Sequence, residues 1–282
     1  LEEGFDGLKT KTSKCKSFWN KIPDKERQMV VETALDRTDL SPRELAFEIT
    51  DEQGWFISES SVYRILKERG FIKSPAWILM AASNEFKDKT TYVHQQWQTD
   101  FTYFKIIGWG WYYLSTIMDD YSRYIISWEL CKNMESADAK RTVGTALEKT
   151  GLSKGQRPRL LSDNGSCYVS HEFKKFISEE NMSHVQGAPY HPQTQGKIER
   201  YHRSMKNVVK LEHYFFPGEL EAKLKEFVDY YNNERYHESL KNVTPADVYF
   251  GRDKEILHRR RNIKIQTIKE RRKLNSKTKK SA

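Results

Sequence analysis

The hydrophobic rhythm of the chain changes once, near Val93, and the change divides it in two. Between Pro23 and Gly70 apolar residues recur at helical spacing. Met29, Val30, Val31, Ala34 and Leu35 form one stripe. Leu45, Ala46 and Ile49 form a second, and Val62, Ile65 and Leu66 a third. Ser41-Pro42-Arg43-Glu44 reads as a helix start, with Ser41 as cap, Pro42 at the first helical position and Glu44 completing a capping box. Ser58 caps the third helix and Gly70 stops it. From Val93 the pattern becomes that of strands. Residues 95–106, 110–119 and 122–130 are rich in Tyr, Trp, Ile and Thr, with turns at Gly108/Gly110 and at Asp119-Asp120-Tyr121-Ser122. This predicts an antiparallel three-strand meander. A helix over 136–149 follows, with Ala139, Val143, Ala146 and Leu147 on its apolar side. Then come a short strand at Arg159–Ser162, a helix over 170–180, a short strand at 183–186, a helix from near Thr194 and a long helix over 218–235.

Five segments result: a polar stretch 1–22, a three-helix module 23–72, a linker 73–92, a core 93–251 and a tail 252–282. The fold class is α/β, a mixed sheet flanked by helices, with an all-α N-terminal module and a basic C-terminal tail. No run approaches the roughly 18 apolar residues of a membrane helix, and the N-terminal stretch has no secretory apolar region. Cys15, Cys131 and Cys167 are few and far apart, which points to a reducing cytosol and against a disulfide frame or Cys-x-x-Cys zinc site. The net charge is +9. Residues 254–282 hold 12 Lys/Arg against 2 Glu, so the remainder is near neutral and the basicity belongs to the tail. A tail of this kind suits a phosphate backbone.

Three acids are candidates for the chemistry. Asp100 lies in a strand-like run, Asp163 ends a short apolar strand, and Glu199 sits in the first turns of a helix. Three converging carboxylates repel one another unless a cation lies between them. Mg²⁺ suits such oxygen ligands, and a metal pair serves phosphodiester chemistry. The words around each acid are Trp97-Gln98-Thr99-Asp100-Phe101-Thr102, Ser162-Asp163-Asn164-Gly165 and His191-Pro192-Gln193-Thr194-Gln195-Gly196-Lys197-Ile198-Glu199-Arg200. They occur with Met118-Asp119-Asp120-Tyr121-Ser122-Arg123, Tyr231-Asn232-Asn233-Glu234-Arg235-Tyr236-His237 and Thr244-Pro245-Ala246. Six segments in this order resemble the DDE recombinases with a retroviral-integrase core, and most of all the transposases of bacterial insertion sequences.

The resemblance implies a ribonuclease-H-like sheet that brings Asp100, Asp163 and Glu199 onto two Mg²⁺ (or Mn²⁺) ions. The implied reaction is cleavage and strand transfer of insertion-sequence ends, without a covalent protein intermediate. Double-stranded DNA would be the partner, a homo-oligomer the working form, and the bacterial cytoplasm and chromosome the location. Lys206, two helical turns and about 10 Å beyond Glu199, falls where the family places a basic residue and could hold a DNA phosphate beside the metals, and His202 shares its face. In the N-terminal module, which resembles a helix-turn-helix, Arg64, Lys67 and Arg69 project outward as DNA contacts. Arg259, Arg260 and Arg261 are the tail's contacts, with no apolar stripe behind them. Asp119 and Asp120 read as turn formers. Gly187–Pro192 is a candidate mobile loop, and Asn232, Asn233, Arg235 and His237 favour core packing. The alternatives are a nuclease that only hydrolyses and a non-catalytic DNA-binding descendant of a transposase.

Overall fold

Capping and burial make the three N-terminal helices. The computed structural model describes residues 18–72, 89–187, 195–210, 212 and 214–280, and divides the chain into two compact units, residues 1–78 with 254–282 and residues 79–253. In the first unit, α1 (Asp24–Asp36), α2 (Pro42–Glu52) and α3 (Glu59–Glu68) follow the predicted bounds closely. The Ser41/Glu44 capping box forms, and the Ser58 side chain accepts from Ser61 N–H. Val30, Leu45, Ile49, Val62 and Ile65 close a common core, each burial stabilising by roughly 1.5–3 kcal/mol. Leu35, placed in the first stripe, is exposed at the end of α1. Cys15 and the linker residues 73–88 lie outside the described residues.

The second unit is built on a sheet of β1 (Gln96–Ile106), β2 (Gly110–Asp119), β3 (Ile125–Cys131), β4 (Arg159–Ser162) and β5 (His184–Gln186), in the order β3-β2-β1-β4-β5. The first three strands form the expected antiparallel meander, while β1–β4 and β4–β5 are parallel. The second turn is longer than the sequence suggests. Asp119 accepts from Ser122 N–H and O–H, Arg123 adopts a left-handed conformation, and β3 therefore begins at Ile125. On one face of the sheet α4 (Ser136–Thr150), α5 (Ser166–Val169) and α6 (His171–Glu179) cover Trp97, Ile117 and Ile126. On the other, α7 (Gly196–Val209) and α8 (Pro217–Asn233) cover Phe104, Leu114 and Met118. The single helix expected over 170–180 is preceded by α5, separated from it at Ser170, which caps α6 through Phe173 N–H. Asn232 on α8 both accepts from Ile125 N–H and donates to Ile125 C=O, and so serves packing. A short α9 (Pro245–Tyr249) closes this unit behind a Thr244/Asp247 capping box.

The basic tail is a helix. α10 (Asp253–Lys280) lies against the three-helix module through a polar stripe at helical spacing. Arg260 makes a two-pronged ion pair with Asp51 of α2 at 2.8 and 2.5 Å. Thr267 accepts from Phe56 N–H, and Arg271 reaches Glu26 of α1 and Phe56 C=O. Arg260 stacks over Phe47, Lys264 over Phe56, Arg271 over Trp55 and Arg272 over Trp19. The tail has no apolar stripe, yet it is held: its buried stripe is Arg260, Thr267 and Arg271, which a search for apolar residues passes over. Guanidinium stems and faces pack on aromatic rings while their forks satisfy carboxylates.

Candidate active site

Strand register positions the first two carboxylates. Gln96, Trp97 and Gln98 of β1 pair in parallel with Arg159, Leu160 and Leu161 of β4. Asp100 and Asp163 each stand two residues beyond the last of these pairs, and so at equivalent places past the end of β4. Burial raises the Asp163 carboxyl above its ordinary range, an N–H from Gly165 pulls it down, and the charge of Asp100 raises it again. Two carboxylates thus share one neighbourhood. Gly165 donates to Asp163 Oδ1 at 2.9 Å, and a Cβ at this position would lie only 3.0 Å from that oxygen. The glycine leaves room for the carboxylate. Nearby, burial and then the charge of Asp163 push the Cys167 thiol up to about 11, so it stays protonated and is no thiolate nucleophile.

The third carboxylate depends on how α7 is anchored. At its first turn Lys197 Nζ meets Asp120 Oδ2 at 2.5 Å and Asp120 C=O at 2.8 Å. Gln98 of β1 accepts from Ile198 N–H and donates to Asp120. Gln195 donates to Thr99 C=O. Ile198, Tyr201, Met205 and Val209 then face the core, which leaves Glu199 exposed. Among the described residues no group of three or more His, Cys, Asp or Glu side chains closes to metal-holding distance. Asp100 and Asp163 lie near enough for their charges to interact, and Glu199 is exposed on α7. Residues 188–194, most of the Gly187–Pro192 loop, lie outside the described residues. Hard oxygen donors whose charges already repel one another suit a divalent cation, so Asp100 and Asp163 fit the implied metal on chemical grounds.

The other sequence candidates fall in different places. His202 is 5% exposed and lies between Asp100 Oδ2, 3.3 Å from its Nδ1, and Thr116 Oγ1, 3.4 Å from its Nε2. It addresses the carboxylate rather than solvent. Lys206 is partly exposed. Burial and Lys210 hold its ammonium below the usual range, while Asp100 acts in the opposite direction. Asp119 and Asp120 spend their oxygens on Ser122, His94, Gln98, Thr90 and Lys197. Arg64, Lys67 and Arg69 are exposed on or just after α3. Of the tail arginines, Arg259 and Arg261 are exposed, whereas Arg260 is 8% exposed against Asp51. The roles of Lys197 and Gln98 were not read from the sequence, because Asp120 is 77 residues from Lys197 and nothing local marks the pair.

The second unit is similar to known proteins. Residues 91–192 match a family described as an integrase core domain, and residues 180–245 match a second family of the same description. The Gag-Pro-Pol polyprotein of simian retrovirus SRV-2 is 31% identical over 114 residues, 40% of this chain and 6% of the polyprotein. The Pol-related polyprotein of mouse intracisternal A-particle MIA14 is 34% identical over 113 residues, 40% of this chain and 12% of that protein. The match thus spans a small part of these relatives. A chain of the simian T-cell lymphotropic virus intasome, solved in complex with PP2A regulatory subunit B56 gamma, has a TM-score of 0.51 at 19% identity, covering 78% of this chain and 74% of that one. The chain carries an integrase-like catalytic core with the ribonuclease-H-like fold.

Proposed function

We propose that the protein is a DDE transposase of the bacterial insertion-sequence type, which cleaves element ends and joins them to target DNA in the bacterial cytoplasm. The observation that supports this best is the parallel β1–β4 register, which sets Asp100 beside Asp163 next to the helix that bears Glu199. Asp100, Asp163 and Glu199 would hold Mg²⁺ or Mn²⁺, two ions in all. When bound, the ions would activate the attacking oxygen and stabilise the leaving one. His202 orients the Asp100 carboxylate. Lys206 binds a DNA phosphate beside it. No side chain serves as nucleophile. In the first unit α3 reads base edges as part of a helix-turn-helix, through Arg64, Lys67 and Arg69, while Arg259 and Arg261 of α10 grip phosphates. The working form is a homo-oligomer on DNA.

The test is a cleavage-and-joining assay with candidate element ends and Mg²⁺. Asp100→Asn, Asp163→Asn and Glu199→Gln should each lower both steps by about a hundredfold or more, since loss of even an outer-shell partner of a metal costs 10–100-fold. Folding and DNA binding should persist. A variant that retains substantial joining removes its residue from the site, and a wild type that hydrolyses but never joins is a nuclease.

A further inference from the structure

The β1–β2 ribbon beyond the β1–β4 pairing carries exposed rings. Tyr103 is 56% exposed and Trp111 50%, and their centroids lie 5.4 Å apart in an edge-to-face arrangement. Cross-strand register places them on one face, since Tyr103 pairs with Tyr113 and Lys105 with Trp111. Each ring has a cation over it: Lys105 Nζ lies 5.5 Å from the Trp111 centroid and Lys206 Nζ 4.6 Å from the Tyr103 centroid. Neither ammonium has a carboxylate within 4.0 Å among the described residues. Strand alternation turns Tyr103 and Trp111 to the sheet face opposite Asp100, and Lys206, which also feels the charge of Asp100, links the rings to the carboxylate region.

We propose that Tyr103 and Trp111, with Lys105 and Lys206, form a stacking platform for unpaired bases of the DNA strand held at the carboxylate site. The proposal rests on the DNA-acting reading of that site. Exposed aromatic faces flanked by cations match the chemistry of a single strand, whose bases stack on rings while its phosphates meet ammonium groups. A closed duplex keeps its base faces stacked internally and offers no such contact. A second copy of the chain is a poor occupant, because a two-fold contact over this face would gather four ammonium groups. Bases next to a cleaved or joined phosphodiester need a place once they leave the duplex, and Lys206 leads from that point to the Tyr103 ring.

The experiment measures binding of the 282-residue chain to oligothymidylate and to a random duplex of equal length by fluorescence anisotropy, in EDTA. Tyr103→Ala and Trp111→Ala should each weaken oligothymidylate binding by about fivefold or more, the effect of losing one stacked base, with duplex affinity little changed. Tyr103→Phe should restore binding, since stacking needs the ring and not the hydroxyl. Photocrosslinking with 5-iodouracil-substituted oligonucleotide should map to Tyr103 or Trp111. Equal losses on both probes, no loss on either, or a change from dimer to monomer in sedimentation with oligothymidylate binding intact would overturn the proposal, the last marking an interface between copies. The readout needs no turnover. Retained joining by the acid variants would therefore defeat the catalytic reading alone, and intact oligothymidylate binding by Tyr103→Ala would defeat the platform alone.

Discussion

Asp100 and Asp163 share a register position and therefore a repulsion. Burial and the charge of Asp100 raise the Asp163 carboxyl, so the folded chain takes up this proton more readily than the unfolded chain. Ionised Asp163 then lowers stability above its folded value. The cost fades as pH falls below the ordinary carboxylate range, where both states are protonated. Asp163→Asn should accordingly raise the Tm of the metal-free protein at pH 7 and give no such gain near pH 3, as read by thermal unfolding at the two pH values. An unchanged or lower Tm at pH 7 would show that no strain is stored there. His202 belongs to the same scale. Its imidazole touches Asp100 and Thr116, as an outer-shell partner does. His202→Ala should weaken Mn²⁺ binding by about 10–100-fold in calorimetric titration, and an affinity within error of wild type would leave the histidine a packing role.

Helices carry the next level. α7 owes its position to Lys197, whose partner Asp120 is buried at the end of β2. Removing one member of a buried pair strands the other, at a cost of about 3–5 kcal/mol. Lys197→Met should therefore cost roughly 3 kcal/mol in denaturant unfolding and abolish joining, because Glu199 rides on the turn that Lys197 holds. A stable, active variant would show that the Gln98 and Gln195 contacts suffice. For α10 the ion pairs Arg260–Asp51 and Arg271–Glu26 replace an apolar seam. Arg260→Ala with Arg271→Ala should release this helix, seen as early protease cleavage within residues 253–280 while the core resists. Cleavage at the wild-type rate would mean that the aromatic contacts hold it alone. Position explains why these anchors escaped sequence reading. Asp51 and Arg260 are 209 residues apart, and Glu26 and Arg271 are 245 apart. No local periodicity links charges at such separations.

At the scale of the whole molecule, the chain leaves its helical module, builds the core and returns to the module with α10. Removing residues 254–282 should therefore cost the helical unit stability as well as DNA affinity, and point substitutions are the cleaner probe. Arg64→Ala with Lys67→Ala should narrow the preference for element ends over random duplex. Arg259→Ala with Arg261→Ala should weaken both duplexes alike and reduce the slope of log affinity against log salt by about 0.9 for each phosphate that is no longer neutralised. A salt series on both duplexes decides the matter, and reversed outcomes would exchange the roles of α3 and α10.

The sequence by itself determined most of the elements before the tail, because hydrophobic period, capping residues and turn residues act over a few neighbours. The three-helix module, the meander and the strand–helix alternation after it were all legible, as were the words around Asp100, Asp163 and Glu199. Tertiary structure decided what those elements meet. Only parallel pairing sets Asp100 beside Asp163, only packing buries His202 against Asp100, and only docking sets the arginines of the basic tail against Asp51 and Glu26. Each of these rests on contacts between residues far apart in the chain, where charge and burial become properties of the fold rather than of any segment.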